Sequence, residues 1–167
     1  MKKLFICFVL FAFASSAFTQ QFDVPENYKL EKAEDYPRYE QDVINAVDWL
    51  VQTPLNQQVD KRKNANAFVL KWLMGSPYTH VEIRPEIVTF LESSPDLLII
   101  FLGGWAKHAL QTKKFDDKVE GNLAGLQAAI NFYQQNKLPK DKNIEKFIKL
   151  DKQQKLLSYI ENVINKK

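Results

Sequence analysis

The chain has 167 residues, of which 46% are hydrophobic and 26% charged, and its formal net charge is +3. That balance excludes a low-complexity polyelectrolyte, and the length suits one self-sufficient hydrophobic core. A single cysteine excludes a disulfide framework.

The N-terminus comes first in chain order. Lys2 and Lys3 precede an unbroken apolar run of eleven residues, Leu4 to Ala14, and small residues follow at Ser15, Ser16 and Ala17. Charge, short apolar stretch and small-residue zone in that order predict a secretory signal peptide over residues 1–19, too short to span a bilayer. Cleavage is expected after Ala17 or Thr19. Cys7 would leave with the signal. Leu4-Phe5-Ile6 ahead of it lacks the small residues of a lipid-attachment site, so no lipoprotein is expected. The mature chain then has no disulfide despite an oxidising destination, and no transmembrane segment is predicted in it.

Residues 20–35 read as a polar, extended lead-in, and 36–167 as a helical domain. Tyr36, Tyr39, Val43, Val47 and Leu50 fall at helical spacing, with Asp35 as N-cap. Thr53-Pro54 predicts a second helix reaching Met74, ended by Gly75. In Tyr78 to Arg84 the pattern changes to a period of two, which predicts a short extended segment. Pro85 is expected to open a third helix carrying Ile87, Val88, Phe90 and Leu91. Ser94-Pro95-Asp96 opens a fourth, to about Thr112, and a fifth runs from about Asp116 to Asn136. After the Leu138-Pro139 break, helical turns start near Asn143, and Leu156, Leu157, Ile160, Val163 and Ile164 mark a last amphipathic helix. The fold class is all-α: an irregular single-domain helical bundle of five to seven helices with one short extended segment near 78–84.

Charge is uneven. Residues 20–136 hold 12 basic and 16 acidic side chains, whereas 137–167 hold 9 and 4. A basic tail can meet an anionic surface or the acidic part of a partner, or be a solvated lysine face. Nucleic acid is not expected, because no basic-aromatic reader motif is present.

No nucleophile elbow, phosphate-cradling glycine loop or His-Glu-x-x-His occurs. With no mature cysteine and two distant histidines, no thiol nucleophile, metal site or cofactor is expected, and no catalytic residue stands out. Three patterns are candidates for binding. On the second predicted helix, Arg62 and Asn66 project into a stripe with Leu55, Val59, Val69, Leu70 and Leu73. There they form either an internal polar network or a ligand-facing pair. Tyr78, His80, Glu82 and Arg84 share one face of the extended segment, either as the solvated side or as a row able to bind or move a proton. The predicted fourth helix is apolar nearly all round except for Gly103, Gly104, Lys107 and Gln111. The fifth carries a small face of Gly121, Gly125 and Ala128 with Phe132. A helical glycine costs roughly 1 kcal/mol against alanine. Those glycines therefore imply close antiparallel packing of the two helices, or a slot for a flat or acyl ligand. Trp49 falls off the main stripe of the first helix and reads as a surface anchor or a contact to the last helix.

Three runs carry a family likeness: Asp48-Trp49-Leu50 with Thr53-Pro54-Leu55, Phe68 to Trp72 with Gly75-Ser76-Pro77, and Phe101 to Ala106. Together they resemble uncharacterised small secreted proteins of Bacteroidetes-type bacteria, which implies export and a shared fold but assigns no catalytic residue. A weaker likeness, through the Ser94-Pro95 start and the apolar helix after it, is to small periplasmic helical proteins of the acid-chaperone and toxin-immunity kind. Those usually hold a disulfide. The expected function is a non-enzymatic binding or interaction protein of the cell envelope or exterior, periplasmic or extracellular. Its partner would be an envelope protein or small ligand. The alternative is a hydrolase or lyase using the His80, Glu82 and Arg84 row.

The signal reading is checked by intact mass. The exported protein should begin at Phe18 or Gln20, and a full-length product retained in the cytoplasm would refute it.

Overall fold

The computed structural model describes residues 22–166; the predicted signal segment lies outside them. Among the described residues there are six α-helices and no strand: α1 (Glu40–Gln52), α2 (Val59–Gly75), α3 (Asp96–Thr112), α4 (Lys118–Asn136), α5 (Lys142–Lys152) and α6 (Leu156–Ile164). None is long and apolar enough to cross a membrane.

α3 is apolar on nearly every side, and a helix of that kind has to be surrounded. Leu97, Ile100, Phe101, Trp105, Ala109 and Leu110 are all buried. α4 lies against it antiparallel, with Phe101 opposite Gly125 and Trp105 opposite Gly121. A Cβ added at Gly125 would sit 2.8 Å from the Phe101 carbonyl oxygen and 2.7 Å from its ring. One added at Gly121 would enter the Trp105 indole at 2.4 Å. One at Gly104 would meet the Ala124 carbonyl oxygen at 2.8 Å and the Ala128 Cβ at 2.7 Å. The expected glycine-mediated packing is therefore present, with one correction. Gly103 does not face α4; it receives Val47 of α1, whose methyl groups stand 3.1 and 3.2 Å from a Cβ placed there. Successive residues on a helix point about 100° apart, so two adjacent glycines serve two neighbours.

The first two helices start later than their sequence signals imply. Asp35 does not cap α1. Its carboxylate accepts the Glu31 and Lys32 backbone N–H groups at 3.0 and 3.1 Å, and two short 3-10 turns, Ala33–Asp35 and Pro37–Tyr39, precede α1. Thr53-Pro54 opens a turn, with Gln57 N–H bonded to the Pro54 carbonyl at 3.0 Å, and α2 begins only at Val59, after Gln58 in a left-handed conformation (φ 48°). The 53–58 turn is pinned elsewhere: Leu55 N–H donates to Asn136 Oδ1 at 2.7 Å. The buried side of α2 is Arg62, Ala65, Phe68, Val69 and Trp72, and Val59 and Leu70 are exposed. Trp49 is buried as well, because α1 packs against α2, α3 and α4 at once. Gly75 does end α2, but without left-handed geometry: a Cβ there would lie 1.9 Å from the Tyr36 hydroxyl, which donates to the Leu30 carbonyl.

Pro85 opens no helix. Residues 85–93 form separate turns, in which Ile87 and Val88 N–H both bond to the Arg84 carbonyl and Ser93 and Ser94 N–H to that of Phe90. Ile87, Val88 and Phe90 are all buried, so this stretch feeds side chains into the core from turns rather than from one helical face. Residues 79–84 carry neither helix, turn nor strand. The two-residue alternation holds at buried Thr79 and fails at Ile83, which is 48% exposed.

Asp141 ties the start of α5 to the start of α3. It caps α5 through the Asn143 N–H at 2.8 Å, and its other oxygen accepts from Ser93 and Ser94 hydroxyls at 2.5 and 2.8 Å, beside the start of α3. Burial works to raise its pKa, but these bonds outweigh burial and hold the carboxyl below its ordinary value.

The α3–α4 contact is checked by Gly125→Leu, which should cost about 1–3 kcal/mol or more in denaturant unfolding, because the obstructing atom is backbone. A neutral substitution would refute the close approach.

Candidate functional site

The residues singled out by sequence do not converge. Arg62 is 6% exposed and meets no carboxylate. Its Nη2 donates to the Leu50 carbonyl at 3.2 Å and to the Thr53 carbonyl, while the guanidinium lies 5.8 Å from the Trp49 ring centre and 5.5 Å from that of Phe132. The Leu50 carbonyl lies in the last turn of α1, where helix carbonyls lack intrahelical partners and the dipole is negative. Arg62 is thus a cap for α1 supplied by α2. Burial lowers its pKa, and the charge of Asp96 acts in the opposite direction. Asn66 is only half-buried and forms no hydrogen bond with Arg62, and its Oδ1 has no partner in the fold. The expected pair is really a single structural arginine.

The 78–84 row is likewise divided. Tyr78 donates to Glu40 at 2.8 Å, and Glu40 also takes Lys113. Burial first, then the Glu40 carboxylate, push the Tyr78 pKa up. Glu82 is held between Lys118 and Arg84, both at 2.5 Å, and the Lys118 bond is the largest cause of its lowered pKa. His80 is exposed, and among the described residues its side chain makes no hydrogen bond. A proton relay needs its members within hydrogen-bond reach of one another. Here only Glu82 and Arg84 meet; Tyr78 is bonded to Glu40, and His80 to none of the three.

Lys107 belongs to a different arrangement. It pairs with Asp48 across the α1–α3 interface, and both side chains border a cleft of about 290 Å³ between α1, α3 and α4. Gly104, Ala124 and Ala128 line it with small side chains, and Val47 and Val51 form an apolar wall. Around them stand His108, Gln111, Gln127 and Asn131. Gly104, Lys107, His108 and Gln111 follow i, i+3, i+4, i+7, and Ala124, Gln127, Ala128 and Asn131 repeat that spacing on α4, so two helices each turn one continuous face to the cleft. His108 Nε2 is buried without a partner in the fold.

This arrangement suits binding more than bond-breaking. It offers a slender apolar floor, an ion pair, and amide donors and acceptors on both sides. Such a mix is typical of small-molecule pockets, where few polar groups orient a ligand over apolar surface. Among the described residues no group of three or more His, Cys, Asp or Glu side chains is placed to hold a metal ion. Sequence reasoning found Lys107, Gln111 and the small faces. It missed Asp48, His108, Gln127 and Asn131, although the helical phase that singled out Lys107 also includes His108.

No family model, curated protein or solved structure matches the chain.

The role of Arg62 is testable by stability. Arg62→Ala removes charge-assisted bonds and leaves two carbonyls unpaired, so it should cost about 2–4 kcal/mol in denaturant unfolding. Arg62→Lys should recover only part, because an ammonium lacks the planar guanidinium that stacks on Trp49 and Phe132. A loss under about 0.5 kcal/mol would refute the capping role.

Proposed function

We propose that this is an exported, non-enzymatic binding protein of the cell envelope or exterior, periplasmic or extracellular, and that its ligand lies in the cleft between α1, α3 and α4. The observation that carries the reading is that cleft: a floor of Gly104, Ala124 and Ala128 with the Asp48–Lys107 pair, His108 and three amide side chains around it. The charge and apolar pattern of the first 19 residues supports export. The narrow floor favours a flat or acyl-like body, and the polar border favours a head group with both donors and acceptors. Tyr78 is engaged by Glu40 and Glu82 by Arg84 and Lys118, while His80 bonds to none of them, and that weighs against the hydrolase or lyase reading.

The test is native mass spectrometry of the exported protein taken directly from envelope and culture fractions. Wild type should carry a non-covalent mass that Ala124→Phe, which fills the floor, loses while keeping the same helical circular dichroism. If wild type carries no added mass and no envelope extract raises its Tm, the cleft is not a binding site.

A further inference from the structure

Every ion pair among the described residues draws its cation from the stretch 38–118: Arg38, Lys61, Lys63, Arg84, Lys107, Lys113 and Lys118. The seven lysines between 137 and 155 form none, and all seven are exposed. Four of them lie on α5. At about 100° per residue, Lys142, Lys146, Lys149 and Lys152 fall within an arc of about 120°. Ile144, Phe147 and Ile148 occupy the opposite side and are buried in the bundle. The acidic groups of the same stretch do little to offset this charge. Asp141 is buried on two serines and Asp151 falls on the far side of the helix; Glu145 alone lies within the lysine arc, half-buried and accepting from the Tyr133 hydroxyl, one negative charge among four positive.

We propose that this lysine face adsorbs to an anionic lipid surface. This face lies on α5, apart from the cleft between α1, α3 and α4. Three features select lipid over other polyanions. A protein interface is built on a desolvated apolar or aromatic centre and is depleted in lysine, whereas the apolar side of α5 is already used by the core. Single-stranded nucleic acid asks for exposed aromatic platforms; the nearby Tyr159 is half-buried with Lys146 over its ring at 4.5 Å. A plane of head groups needs only positive charge spread over a convex surface. Lysine, a hydrated point charge on a flexible stem, meets that need without bidentate geometry. Because no apolar side chain of α5 is free to insert, adsorption is purely electrostatic, shallow and reversed by salt.

The experiment is co-sedimentation of the full mature chain with vesicles of phosphatidylcholine alone and of phosphatidylcholine mixed with phosphatidylglycerol. Binding is expected only to the mixed vesicles and should vanish in high salt. Each lysine contributes about fivefold at low salt, so Lys142→Gln, Lys149→Gln and Lys152→Gln together should weaken binding roughly a hundredfold. These three are chosen because Lys146 also donates to Tyr159; an unchanged Tm shows that the triple variant still folds. A charge-matched variant, Lys63→Gln, Lys71→Gln and Lys114→Gln, should bind like wild type. Equal loss in both variants, equal binding to neutral vesicles, or no binding to vesicles at all would overturn the proposal. Retention on polyglutamate beads without vesicle binding would do so in favour of an acidic protein partner.

Discussion

Backbone meets backbone where α3 crosses α4, and most of the remaining architecture is arranged around that approach. With Gly104 against Ala124 and Ala128, and Gly125 against the Phe101 carbonyl, no side chain separates the helices. The aromatic rings of Phe101 and Trp105 then cover the glycines from the side instead of holding the axes apart. α1 can settle on the adjoining side of α3, where Gly103 accepts Val47. The same small residues have a second effect. Beyond the point of closest approach they leave the space between three helices unfilled, and that space is the cleft. Packing and the candidate binding site are therefore one property of the α3 and α4 sequences.

A second constraint acts at the α1–α2 corner. A turn that interrupts two helices leaves carbonyls needing donors in a place water reaches poorly. Arg62 supplies them for Leu50 and Thr53, and Asn136 serves the Leu55 N–H from the far end of α4. Burying a guanidinium is costly in itself. Here the cost is offset by charge-assisted bonds, by the negative end of the α1 dipole and by the faces of Trp49 and Phe132. The corner is thus fixed by side chains from α2 and α4 together with its own Gln57–Pro54 turn bond.

How far this was legible in the sequence depended on where each signal resides. α3 and α4 were readable to within two residues, because their all-round apolar character and glycine spacing are local properties of the strings 96–112 and 118–136. The start of α2 was not: Thr53-Pro54 has the right local chemistry, but distant groups claim the backbone there. The apolar cluster Ile87, Val88 and Phe90 suits a helix as well as a run of turns, and tertiary demand for buried side chains chose the turns. At the site, Lys107 could be found from helical phase. Its partner Asp48 lies 59 residues away on another helix, a pairing that no periodicity in either segment encodes. Arg62 was rightly placed in the interior, but whether a carboxylate, a ligand or carbonyls would receive it depends on where α1 ends.

The order of helices along the chain also bears on how quickly the fold can be reached. α1 with α2, α3 with α4, and α5 with α6 are each joined by a short turn and each packs as a pair. Closing such small loops costs little chain entropy, and folds dominated by sequence-local contacts assemble rapidly. The exception is the passage from Ser76 to Pro95, which has no helix of its own yet delivers Ile87, Val88 and Phe90 to the centre. Those side chains have nothing to bury against until the hairpins have met. Ordering of this irregular crossing is therefore expected to come last, so that the least regular part of the molecule would report on whether the rest has assembled.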